Sequence, residues 1–178
     1  MALYGKPGLT GHERTFDKND IIVTKTDLSG KLTYVNSTFL RISGYSEQEC
    51  LGQQHNLIRH PEMPRAVFEL LWKTIQGGDE IFAYVNNRAK NGDNYWVLAH
   101  VTPSFDAGGN MVGYHSNRRV PDRDVLDAHI IPLYARLLDL ERKAAGPREG
   151  LASSFQAVRD LLSASRMSFN QFMFSLGV

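Results

Sequence analysis

Residues 80–117 read EIFAYVNNRAKNGDNYWVLAHVTPSFDAGGNMVGYHSN, three strand-like runs parted by two turn-rich joints. The runs are Glu80 to Arg88, Asn94 to Pro103 and Met111 to Asn117. Lys90-Asn91-Gly92-Asp93 and Asp106-Ala107-Gly108-Gly109-Asn110 join them, because glycine supplies positive φ and Asn or Asp side chains bond their own backbone. Alternation assigns the faces: Ile81, Ala83, Val85 and Asn87 share one side of their strand, so an amide sits on an apolar face. Tyr95, Val97, Ala99 and Val101 share a side of the next strand, and Trp96 falls on the opposite one, where a terminal helix or a second subunit would cover it.

Upstream, Ile21-Ile22-Val23 meets a turn at Asp27-Leu28-Ser29-Gly30, and Lys31 to Val35 resumes as a second strand, which makes a hairpin. Asn36 or Ser37 occupies the N-cap of a short helix ending near Gly44, and Asn36 reads as the cap first and a ligand contact second. Ser46 and Glu49 form a capping box for another short helix, stopped by Gly52. From Pro64 a stronger helix places Phe68, Leu71, Trp72 and Ile75 on one stripe, with Trp72 as core, and Gly77-Gly78 ends it. Downstream, Val125 to Ala144 repeats apolar residues at helical spacing, with Pro132 expected to kink the helix or mark its start. After Gly146-Pro147 a last helix carries Leu151, Phe155, Val158, Leu161 and Leu162, followed by an apolar tail. Three regions result: an N-terminal arm over 1–20, a mixed α+β region over 21–120 and a helical region over 121–178.

Composition narrows the function classes. The 178 residues are 42% hydrophobic and 22% charged, which fits an ordinary soluble globular chain and excludes disorder. Twenty basic residues against nineteen acidic ones leave a net charge of +1, so no strong field directs the chain to nucleic acid or an anionic membrane. The single cysteine, Cys50, cannot make an internal disulfide, and no run approaches the ~20 apolar residues of a membrane span. Residues 1–20 contain no apolar signal core. A cytoplasmic location is the expectation. The histidines lack metal-ligand spacing, and neither a nucleophile–base arrangement nor a phosphate-binding glycine loop is present, which argues against an enzyme.

Residue motifs carry a resemblance. Tyr34-Val35-Asn36-Ser37-Thr38-Phe39, Ser43-Gly44-Tyr45, Leu51-Gly52 and Lys90 to Val97 look like PAS sequence. The segment His55-Asn56-Leu57-Ile58-Arg59-His60-Pro61-Glu62-Met63-Pro64 closely resembles the flavin-binding PAS domain of bacterial aerotaxis receptors, a resemblance that extends from Ile21 to Arg119. It implies an α+β PAS fold, a five-stranded antiparallel sheet with short helices on one face, to which the C-terminal helices are added. It also implies noncovalent FAD and a report of redox state or oxygen to a chemoreceptor or other signalling partner. Carried over by position, His55, Asn56, Arg59, His60 and Glu62 fall in the flavin-binding stretch, and Asn87 matches the asparagine that reaches the ring. Ile81 stands where those receptors commonly carry tryptophan. Light-sensing relatives place a cysteine where this chain has His55, so a thiol adduct with flavin is not expected.

Each residue also has a plainer reading. Asn87 could bond the turn backbone instead of a ring edge. Arg59 could pair with the cofactor's pyrophosphate or with Glu62 or Glu69. His60 could bond cofactor oxygens or cap the helix that Pro64 begins. His115 shares parity with Gly113 and Asn117 and could exchange a proton with the ring, or bond a strand neighbour. The rival functions are a haem-binding gas sensor using His60 or His55, and a ligand-free PAS dimerisation module. The apolar C-terminal helices are expected to serve assembly or output instead of ligand binding, burying against the outer face of the sheet, a second copy or a receptor partner, with a homodimer the simplest solution.

Overall fold

The computed structural model describes residues 8–177. Residues 1–7 of the expected arm lie outside the described residues. Strands β1 (Ile22–Thr26) and β2 (Leu32–Val35) form the hairpin, and β3 (Ile81–Arg88), β4 (Asn94–Phe105) and β5 (Met111–Arg119) follow the helices. All pairings are antiparallel, in the order β2-β1-β5-β4-β3. Register places Ile81, Ala83, Val85 and Asn87 opposite Val101, Ala99, Val97 and Tyr95, so the two apolar faces coincide as alternation required.

Local chemistry sets the helices between the second and third strands. Asn36 caps α1 (Ser37–Ser43) by accepting from the Phe39 N–H at 3.0 Å, and its Oδ1 also takes the Val23 N–H, tying the helix to the hairpin. Gly44 closes α1 at φ 75°. The Ser46–Glu49 capping box opens α2 (Glu47–Cys50). A 3-10 turn, His55–Ile58, is pinned to the hairpin by the bond from the His55 N–H to the Gly30 carbonyl at 2.9 Å. Helix α3 (Arg65–Gln76) then crosses the concave side of the sheet, burying Ala66, Val67, Leu71 and Ile75.

The arm is held at its described end. Thr10 Oγ1 and Arg14 Nε both donate to Asp93, at 2.6 and 2.8 Å, and backbone bonds join Thr10 to Gly92 and Arg14 to Asn94. These donors hold the Asp93 carboxyl well below the usual carboxylate range.

Beyond the sheet come α4 (Arg123–Val125), a π-helical segment at Leu126–Ile130, α5 (Ile131–Lys143), α6 (Pro147–Ser165) and α7 (Phe169–Ser175). The π-helical widening just before Pro132 answers the question that proline raised. The Ile131 N–H reaches five residues back to Leu126, and the turn absorbs the ring without ending the helix. The apolar tail after α6 is itself helical, as α7.

These helices wrap the β3 edge. Tyr134 of α5 lies against Trp96 with ring centroids 6.1 Å apart and donates its hydroxyl to the Tyr84 carbonyl at 2.8 Å, so a helix of this chain covers the outer face. Asn170 of α7 accepts from the Phe82 N–H at 2.9 Å and donates to the Glu80 carbonyl at 3.0 Å, which occupies backbone groups that an edge strand would expose. Leu126, Ile130, Leu137 and Met173 are buried. Phe155, Leu162, Phe169 and Phe172 are partly buried against the same core, while Phe174 stays exposed. Of the covers that the apolar pattern allowed, this chain's own sheet therefore supplies much of the burial.

Candidate functional site

A cavity of about 560 Å³ lies between the concave face of the sheet and α3, inside the range of small-molecule sites. Ile58, Leu71, Val85, Ala99 and Val101 give it apolar walls, with the rings of Trp72 and Tyr114 edge to face at 5.6 Å. Trp72 thus lines the cavity and is not sealed in the core as its helical stripe suggested. Gly30 makes room for it: a Cβ there would stand 3.1 Å from the indole, at a φ of 81° that L side chains rarely adopt.

Asn87 lies where the sequence placed it. It is 3% exposed, lines the cavity, and its Nδ2 has no hydrogen-bond partner. The plainer reading, a bond from this amide to turn backbone, is not what the structure contains. Arg59 bridges Asn87 through the backbone, which brings its side chain to the cavity. Its guanidinium lies 4.3 Å from the Phe68 ring centre and reaches the Met63 carbonyl at 3.4 Å. Neither Glu62 nor Glu69 pairs with it; Glu69 pairs with Lys73 at 2.9 Å. Burial pushes the Arg59 guanidinium down, opposed by the charge of Glu141.

His55 and Asn56 also line the cavity. His55 Nε2 meets Thr24 Oγ1 at 3.2 Å and Arg118 Nη2 at 2.5 Å. Burial, then the neighbouring guanidinium, hold its imidazole down to about 3. It is a neutral hydrogen-bonding partner of Arg118.

Three expected contacts do not turn their side chains into the cavity. His60 is 5% exposed but outside the cavity lining; its Nδ1 accepts the Glu62 N–H at 3.2 Å in the turn before α3, and α3 itself carries no side-chain cap, so His60 does not cap that helix. Glu62 is exposed and does not line the cavity. His115 borders the cavity, yet strand pairing sets it beside Lys25 and Thr102, on the face opposite Ser116, where its Nε2 meets Asn117 Oδ1 at 3.0 Å. Its side chain takes the strand-neighbour bond, and the inward places on β5 belong to Tyr114, Ser116 and Arg118.

Sequence reasoning passed over Ser116 and Arg118. Ser116 Oγ has no hydrogen-bond partner, and Arg118, 3% exposed, bonds Thr24 Oγ1 at 2.7 Å through Nη2 while Nη1 has none. No carboxylate pairs with Arg118 among the described residues, and burial pushes its guanidinium down to about 10. A buried cation without a counter-charge is costly unless something else supplies acceptors. No group of residues suited to a metal ion occurs among the described residues. Cys50 is fully buried away from the cavity, and burial raises its thiol to about 11.

A five-stranded antiparallel sheet cupping a cavity against short helices defines the class, and residues 32–118 match the family model described as the PAS fold. The domain belongs to the PAS family. Within it, the sequence is similar to the Aerotaxis receptor of Escherichia coli (strain K12), 39% identical over 132 residues that are 74% of this chain and 26% of the receptor. It is also 26% identical over 103 residues to the Nitrogen fixation regulatory protein of Klebsiella pneumoniae, covering 58% of this chain and 21% of that protein. The chain thus spans about a quarter of the length of these curated relatives. Among solved structures, the light state of the blue-light photoreceptor Aureochrome1 LOV superposes with a TM-score of 0.54 at 25% identity, covering 65% of this chain and 91% of that one. A light-oxygen-voltage domain studied with a flavin analogue gives 0.56 at 20% identity, covering 65% and 87%, which speaks to the fold alone.

Proposed function

We propose that this chain is a cytoplasmic sensory domain that binds FAD noncovalently and reports redox state or oxygen to a signalling partner, without turnover. The observation that carries the reading is the cavity itself: about 560 Å³ with apolar walls, and Asn87 Nδ2, Ser116 Oγ and Arg118 Nη1 lacking partners among the residues that line it. A flavin answers those features, since its ring system is apolar across the faces and rich in hydrogen-bond acceptors and donors along the pyrimidine edge. Asn87 and Ser116 would hold that edge, Arg118 would supply positive charge to its acceptors, and Trp72 and Tyr114 would exclude water from the ring. When bound, the flavin supplies the electron chemistry; the chain's residues orient it and set its surroundings. The likeness to the aerotaxis receptor supports flavin over other planar ligands and favours energy taxis as the setting. His55 is engaged with Arg118 and Thr24 and His60 with the Glu62 N–H, so neither presents the free inward imidazole that a haem ligand requires.

An absorption spectrum of the purified chain, with the acid-released cofactor identified by chromatography, tests this directly. Flavin bands with FAD in the extract are expected. A Soret band would establish haem, and a colourless protein that resists flavin reconstitution would leave a ligand-free module.

A further inference from the structure

Helix α3, which walls the cavity through Leu71, Trp72 and Ile75, starts without local support. Pro64 precedes it with no side-chain cap, its first turn holds no acid, and a cation, Arg65, takes the first position, the wrong sign for a helix N-terminus. The missing cap comes from α5, 75 positions away. Glu141 Oε1 accepts from the Ala66 N–H at 3.2 Å and Oε2 from Arg65 Nε at 3.0 Å, so one carboxylate takes an orphaned backbone donor and offsets the misplaced cation. The Glu141 side chain is only 7% exposed, and Ser154 Oγ of α6 also donates to Oε1, at 2.8 Å. Gly150 lets α6 come this close, since a Cβ there would stand 2.6 Å from the Glu141 carbonyl. The same helix holds the opposite wall. Tyr134, Leu137 and Glu141 recur at spacings of three and four and share a stripe of α5. Tyr134 donates to the Tyr84 carbonyl of β3 at 2.8 Å, beside Val85 in the cavity lining. About 10 Å of helix separates Tyr134 from Glu141, so α5 bonds the sheet edge at one point and the start of α3 at another, and the cavity lies between those two walls.

We infer that α5 is a strut across the ligand cavity, with Glu141 the positioning residue that caps α3 from outside the PAS match at 32–118. The placement of α3 against the sheet then depends on the helical region, and a ligand that presses on α3 loads the Glu141 bonds. Such coupling is reciprocal: what the cap contributes to ligand affinity, the ligand confers on α5 and α6 as added protection. The inference rests on the flavin reading for its choice of probe, riboflavin, which carries the ring system without a phosphate.

The test is amide hydrogen exchange and riboflavin titration on the full chain. In the ligand-free protein the Ala66 amide should exchange about tenfold faster in Glu141→Ala than in the parent, while the β1 amides keep their rates. Riboflavin should slow exchange in α5 and α6 of the parent and bind roughly fivefold more weakly to Glu141→Ala. Ser154→Ala, which removes one donor to the same carboxylate, should show a smaller loss in both measurements. Met173→Ala, at a buried position of α7, is the comparison: it should lower the melting temperature and leave the riboflavin Kd within about twofold. An Ala66 amide that exchanges equally in parent and Glu141→Ala overturns the cap. Riboflavin that protects α3 and leaves α5 and α6 unchanged, or that binds Glu141→Ala no more weakly than Met173→Ala, overturns the strut and leaves flavin binding intact. Where Glu141→Ala does not fold, Ser154→Ala decides by the same comparisons. Failure of riboflavin and FAD to bind the parent takes down the function proposed above, and the strut then stands or falls on the Ala66 exchange.

Discussion

Replacing Asn87 with alanine should push binding and stability in opposite directions. In the free chain its Nδ2 is a buried donor without a partner, a condition that costs about 1–3 kcal/mol. Removing the amide relieves that cost, and the volume lost joins a cavity that already exists, so no new void opens in a packed core. The free chain should therefore melt at an unchanged or higher temperature, with 1 kcal/mol corresponding to roughly 2–4 °C for a chain of this size. Ring binding should weaken by the same ~1–3 kcal/mol, or roughly 5- to 150-fold in Kd, because the ligand can no longer satisfy the amide. Circular-dichroism melts of the apo chain and a riboflavin titration measure the two effects separately. A melting temperature several degrees lower with an unaltered Kd would refute the reasoning, since it would mean that Asn87 supports the fold and not the ligand.

Other consequences follow from the same geometry. Gly30→Ala should destabilise the chain by about 1–2 kcal/mol, because Ala pays for φ 81° and its Cβ crowds Trp72; a melt indistinguishable from the parent would remove that contact from the cavity wall. Arg118→Met should weaken flavin binding more than tenfold while removing a buried uncompensated charge from the free chain, so a less stable apo protein would show that the guanidinium is structural. The His55 imidazole, held near 3 in the folded chain, takes up its proton near 6.5 when unfolded, so apo stability should be full above pH 6.5 and fall by up to about 1.4 kcal/mol per unit as pH drops toward 3. Denaturant unfolding of the parent and His55→Gln at several pH values checks the sign, and identical slopes would dissociate His55 from it. Truncation after Arg119 should give an aggregating protein, because it uncovers Trp96, Tyr84 and the β3 edge; a well-folded truncated monomer by light scattering would contradict the cover described for α5 and α7.

The fold was legible wherever a local rule had one solution. Asn36, Gly44 and the Ser46–Glu49 pair have capping roles that depend on their neighbours alone, and the alternation of β3 and β4 separates apolar from polar residues cleanly enough to fix both faces. Strand β5 offers no such contrast. Its two parities read Met111, Gly113, His115, Asn117 against Val112, Tyr114, Ser116, Arg118, and each mixes polar with apolar residues. Hydrophobicity cannot choose between them; the hydrogen-bonded register does, and it turns His115 away from Ser116 and Arg118.

The C-terminal helices show a different limit. Apolar spacing at Leu126, Ile130 and Leu137 states that a face must be buried but says nothing of what buries it, and a second copy satisfies the pattern as well as the same chain does. What decides is polar and long-range: Tyr134 on the Tyr84 carbonyl, Asn170 on the β3 edge, and Glu141 on Arg65, each spanning from about fifty to ninety positions. None of these bonds leaves a local signature, because tyrosine, asparagine and glutamate on a helix surface are ordinary solvent-facing residues. The consequence for the site is direct. Reading the helices as an appendage assigned every ligand contact to residues before Arg119, whereas the Glu141–Arg65 pair and Leu151 bring α5 and α6 to the cavity wall. Any change in the position of α3 as the cavity fills must therefore strain or relieve its bonds to Glu141 of α5, which gives occupancy a mechanical route out of the sensor domain.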